Sequence, residues 1–180
     1  MMAYRSAQVW FFDFIVAAIL FFSVFSIAFK VMSTNSPQNF AMDTLSNDGN
    51  FLQYMLLSQG DPKNWTLSDV NLVGILNHDY SLNYTKLSNF YEVIKTDNDS
   101  YIASKTGIYS KFAVVFYSPN DSIVSFDFSG SGNRIYYFGY PGFNYTNVTH
   151  FAESVDNLVA KTNVIHNGTN LMQMKVFLWT

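Results

Sequence analysis

The chain has no cysteine among its 180 residues, which excludes disulfides and thiolate metal sites and leaves the compartment open. Charge is scarce as well. Asp, Glu, Lys and Arg make up 13% of the residues and the formal net charge is −3, so there is no basic footprint for nucleic acid. Only two glutamates occur, Glu92 and Glu153, and neither has an apparent carboxylate partner for acid–base work. The sequence contains no Gly-x-Ser-x-Gly turn and no His-Glu-x-x-His pair. His78, His150 and His166 are scattered and read as surface or loop residues. Asp97-Asn98-Asp99-Ser100 opens like a calcium loop, but it lacks the central glycine and has Ile108 in place of the closing glutamate. A helix N-cap at Asp97 or Asp99 is the better reading. Gly130-Ser131-Gly132-Asn133-Arg134 has glycines without a following helical pattern, so it reads as a turn rather than a phosphate cradle. No enzyme activity, cofactor or metal is expected.

What is abundant begins near the amino terminus. From Val9 to Phe29 the chain carries a single charge, Asp13, and neither proline nor glycine. An apolar helix of about 20 residues matches the ~30 Å hydrocarbon core of a bilayer. Arg5 lies before this run, and the positive-inside rule places that end in the cytoplasm. The phenylalanines at positions 11, 12, 14, 21, 22, 25 and 29 go nearly all round the helix, as expected of one that faces lipid or lies within a bundle. A secretory signal has its small-residue cleavage site after the apolar region. Here Ser6 and Ala7 come before it, so cleavage between Ala7 and Gln8 would remove a leader and retain the helix.

The remainder is rich in aromatics, with 18 Phe and 12 Tyr over the whole chain, as suits a half-buried β-rich domain. Pro37 should end regular helix nearby. Helical spacing is expected over Phe51–Leu57, over a segment carrying Leu87, Phe90, Tyr91 and Ile94, and over Ser100–Lys105. After Gly107 the period shortens. Phe112–Tyr117, Ile123–Phe128, Arg134–Tyr140, Asn157–His166 and Asn170–Trp179 read as about five mostly antiparallel strands, the last two joined by the hairpin signal Asn167-Gly168-Thr169. The fold class is therefore α+β: a long hydrophobic helix, a small helical section and a mainly antiparallel sheet.

Seven Asn-x-Ser/Thr sequons occur, at Asn64, Asn83, Asn98, Asn120, Asn144, Asn147 and Asn167. With 18 Asn and 30 Ser plus Thr in 180 residues, chance placement gives about three. All seven follow the apolar run, as in an exported domain bearing N-linked glycans.

The short leader with Arg5, the small residues Ser6-Ala7, and Gln8 opening an uninterrupted apolar helix resemble the archaeal type IV pilin-like proteins, the class of archaeal pilins and archaellins. Gly60-Asp61-Pro62-Lys63-Asn64-Trp65, Val73-Gly74-Ile75, Leu82-Asn83-Tyr84-Thr85-Lys86-Leu87 and the closing Val176-Phe177-Leu178-Trp179 are also similar to that class. The resemblance implies cutting before Gln8 by a prepilin peptidase-like enzyme and packing of the retained helix into a filament core. It implies residues 1–7 as leader, 8–36 as membrane and filament helix, and 37–180 as an extracellular domain. The leader departs from the usual pattern in having Ala7 instead of glycine at the cut and only one basic residue. Asp13 is sixth from Gln8, whereas many pilins have an acidic residue fifth.

A buried carboxylate in a dry core needs a donor, and a neighbour's new amino terminus would supply one. Alternatively, Asp13 lies near the interface of an ordinary anchor and reaches water. The expected assembly residues are Asp13, Phe14, Phe21 and Phe25. The expected function is that of a structural subunit of a cell-surface filament, self-polymerising and membrane-anchored before assembly. The alternative is a non-polymerising anchored domain that binds a ligand or partner protein.

Overall fold

An uninterrupted apolar run with no helix breaker forms what its composition favours, a single helix α1 over Ala3–Thr34. The computed structural model describes residues 3–34, 37–96, 98–168 and 170–180. The chain divides into two compact units, 1–41 and 42–180. Helix α2, Pro37–Leu56, opens on its proline, where the missing N–H and fixed φ cost nothing. It begins well before the helix expected from Phe51, because its first turns are polar and only Leu45, Leu52, Met55 and Leu56 mark a buried face.

Three short helices follow, and each is started by an asparagine. Asn83 caps α3 (Tyr84–Lys95), Asn98 caps α4 (Asp99–Thr106) and Asn147 caps α5 (Val148–Glu153), each side-chain oxygen accepting a backbone N–H three residues on. The cap of α4 is thus Asn98; Asp97 lies outside the described residues. Gly107 ends α4 in the left-handed conformation, φ 69°. Helix α5 was not legible beforehand, being a single turn and a half with one buried residue, Phe151.

The sheet has four antiparallel strands, not five. They are β1 (Lys111–Tyr117), β2 (Phe138–Gly139), β3 (Leu158–Asn167) and β4 (Asn170–Trp179), in the order β2-β1-β4-β3. Asn167 pairs with Asn170, so the hairpin loop is two residues; Thr169 lies outside the described residues. The expected strand Arg134–Tyr140 shrinks to β2, and Ile123–Phe128 contributes only bridges, Tyr117 to Ile123 and Phe126 to Ile135. Phe126 and Phe128 are turned instead into an aromatic cluster with Phe138, which Phe116 also joins.

Direct cross-strand partners share a face. Phe112, paired with Leu178, and Val114, paired with Phe138, lie on the face covered by α2 and α3. There Phe90 stacks on Phe112 and Phe138, and the Cα of Gly49 comes close enough to Leu178 that an added Cβ would lie 3.0 Å from it. The opposite face carries Phe177 and Trp179, which pack with Phe143 and Phe151. With both faces covered, Phe112–Phe116 is buried at every position, which is why β1 reads as a continuous apolar run.

Candidate functional site

Within α1, residues Trp10–Met32 form the one described helix long and apolar enough to cross a membrane, and none of its side chains is buried. Phe14, Phe21 and Phe25 recur at intervals of seven and four and so share one face. Phe21, Phe25 and Phe29 stack in sequence, with centroids 6.2 and 6.4 Å apart. Asp13 lies about 100° round the helix from Phe14. It is exposed and has no ion-pair partner among the described residues. A shallow concave strip runs along Phe14, Ala18, Phe22 and Ser26. Ser23, which also lines it, returns its hydroxyl to the carbonyl of Ile19 at 2.7 Å. Ala7 and Gln8 lie on the helical backbone, and their side chains are outside the described residues.

The three central segments that carry the resemblance come together in one knot. Gly60 has φ 77°, and the Trp65 indole fills the place a Cβ would take, 2.5 Å away. Trp65 donates its indole N–H to the carbonyl of Gly74 at 2.8 Å, and a Cβ on Gly74 would meet the nitrogen of Gly60 at 2.2 Å. Lys86 is buried and donates to the carbonyls of Gln59 (2.8 Å), Lys63 (2.6 Å) and Leu76 (3.0 Å). Burial lowers the pKa of this ammonium below the ordinary lysine value. Asn83 donates to Asn77 Oδ1 at 2.6 Å while capping α3. These residues act as a clasp.

The sequon asparagines separate by what their amides do. Asn64, Asn98, Asn120 and Asn147 are exposed, whereas Asn83, Asn144 and Asn167 are half-buried. Asn167 donates its amide to the Tyr84 hydroxyl at 2.5 Å, and Asn83 donates to Asn77. Asn144 accepts from Thr146 Oγ1 and the Asn147 N–H, and Asn120 accepts from Ser118 Oγ. Three of the seven sequons (Asn83, Asn98 and Asn147) therefore sit where helix capping alone already favours asparagine.

Asp127 fills the glycine turn with its own carboxylate, accepting from the N–H groups of Ser129, Gly130 and Gly132. Gly130 and Gly132 have φ 64° and 82°, the left-handed region this turn requires. Among the described residues no three His, Asp or Glu side chains gather as metal ligands. His78 meets Gln59, His150 lies 3.5 Å from Glu153, and His166 faces the carbonyls of Asp79 and Gly168. Sequence reasoning missed a groove beside α3 that collects Tyr91, Arg134, Tyr136, Tyr137 and Tyr145. The dense tyrosines after Arg134 were its only signal.

Comparison with models of protein families, with characterised proteins and with solved structures finds no match for this chain.

Proposed function

We propose that the chain is a structural subunit of an archaeal type IV pilus-like surface filament, polymerising through its amino-terminal helix with residues 37–180 outside. The observation that carries this reading is the 23-residue span Trp10–Met32, apolar on all sides and with nothing buried, which retains one carboxylate at Asp13. Side chains of that kind must be covered, by lipid before assembly and by neighbouring helices after it. Assembly withdraws helices from the membrane into a mutual core with helical symmetry. Cutting before Gln8 frees an amine, and Asp13 of one subunit pairs with the amine of the next, fixing the axial register. The stacked Phe21 and Phe25, with Phe14 on the same face, supply the packing surface. The glycan-bearing, aromatic-cored unit forms the outer layer and serves adhesion.

Asp13→Ala tests this. Electron microscopy of surface material sheared from expressing cells should show few filaments, while membrane fractions still contain the protein. Filaments in normal yield would remove Asp13 from the mechanism. A variant and parent that both remain as monomers in the membrane would favour a static anchored domain.

A further inference from the structure

We propose that the groove between α3 and the segment entering β2 binds an anionic saccharide, its tyrosines stacking on the sugar and Arg134 pairing with the acid group. The groove has a volume of about 510 Å³ and is lined by Tyr91, Lys95, Arg134, Tyr136, Tyr137 and Tyr145 among others. That lies within the ~300–1,000 Å³ typical of small-molecule sites.

Its charge is specific. Arg134 is the one arginine in residues 42–180, and among the described residues it has neither an ion pair nor a hydrogen bond. Lys95 is already shared with Glu92, 3.8 Å away. The groove therefore offers one uncommitted cation with a planar fork of donors, which fits a carboxylate in two parallel hydrogen bonds. A polynucleotide would need a track of cations, and neither this groove nor a chain of net charge −3 provides one.

Its walls are flat and polar at the rim. Tyr136 and Tyr145 stack at 5.3 Å with an interplanar angle of 5°, and Tyr137 lies 5.6 Å from Tyr145. All three rings, and Tyr91, are half-buried. The four phenol hydroxyls have no hydrogen-bond partner among the described residues; burial first, and then the neighbouring phenols of Tyr145 and Tyr91, raise the pKa of Tyr137 above the ordinary tyrosine value. An aromatic platform suits the C–H face of a pyranose, and convergent hydroxyls suit its ring hydroxyls. A wholly apolar ligand would leave the guanidinium unpaired and stripped of water.

The inference rests on the proposed function only in placing the groove outside the cell, so the test uses the detergent-solubilised full chain and needs no polymer. Isothermal titration with a galacturonate trisaccharide should show saturable binding. Arg134→Gln should weaken it by about tenfold or more, the loss expected for a charge-assisted pair. Tyr136→Ala should weaken it too, and maltotriose should bind at least about tenfold less tightly than the acidic sugar. Arg134 is exposed, so its variant should melt as the parent does. Absence of saturable binding, equal binding by Arg134→Gln, equal binding of maltotriose, or inorganic sulfate matching the trisaccharide would each overturn the proposal. Loss of filaments in the Asp13→Ala cells bears on the assembly reading alone.

Discussion

The ammonium of Lys86 reaches the carbonyl oxygen of Lys63, 2.6 Å away and 23 residues earlier in the chain. With the bonds to Gln59 and Leu76 it joins the helix α3 start to two loops that have no strand or helix of their own. Lys86→Met keeps the stem's volume and removes the donor, leaving three carbonyls to find other partners. The variant should lose about 2–4 kcal/mol of stability, because carbonyls left without a donor cost more than the net worth of the bonds they made. Urea titration followed by tryptophan fluorescence reads this directly, and a loss below about 0.5 kcal/mol would mean the clasp is ornamental.

Gly74 matters for a reason of space. An added Cβ would lie 2.2 Å from the nitrogen of Gly60 and 2.6 Å from the carbonyl of Ser58, and neither is a flexible side-chain end. Gly74→Ala should cost about 3 kcal/mol or more, since the backbone must move. Expression with a parental urea midpoint would contradict the close approach.

Glycan occupancy should follow amide availability. The linkage forms at the side-chain nitrogen, and Asn83 and Asn167 donate theirs to Asn77 and Tyr84. Glycopeptide mass spectrometry of surface material should therefore find sugar at exposed Asn64, Asn98, Asn120 and Asn147 and none at Asn83 or Asn167. Full occupancy of Asn83 would mean that the clasp forms differently in the cell.

Asp127 sets an acid limit. The N–H of Gly132 first, then those of Ser129 and Gly130, hold its pKa below the ordinary aspartate value of 3.8. The folded state thus binds protons less readily than the unfolded one. Its stabilisation is complete above that ordinary value and is lost as pH falls through the lowered one. Asp79 and Asp69, held by Ser81 and Thr66, act in the same direction. Thermal melts between pH 2 and 6 should show the parent falling more steeply at the acid end than Asp127→Asn. Parallel curves would remove Asp127 from the acid transition.

Periodicity made the large elements legible. The apolar run announced α1, the recurrence of Leu87, Phe90 and Ile94 announced α3, and the Asn167-Gly168 turn announced the β3–β4 hairpin. Failures arose where tertiary contacts outweighed pattern. Ile123–Phe128 alternates as a strand does, yet Phe126 and Phe128 are drawn to Phe138 and the Asp127 turn breaks the ladder. The first turns of α2 carry too few apolar residues to show a face. The tyrosine groove escaped notice because its residues come from α3, the segment before β2 and the loop before α5, and only the fold brings them together.

The proposed filament requires that α1 from Gln8 onward be retained after processing and pack in a polymer. Intact-mass and amino-terminal analysis of the sheared, sedimenting surface fraction tests it most directly. A chain beginning at Gln8 is expected in that fraction. A chain found only in membranes and still beginning at Met1 or Met2 would contradict it.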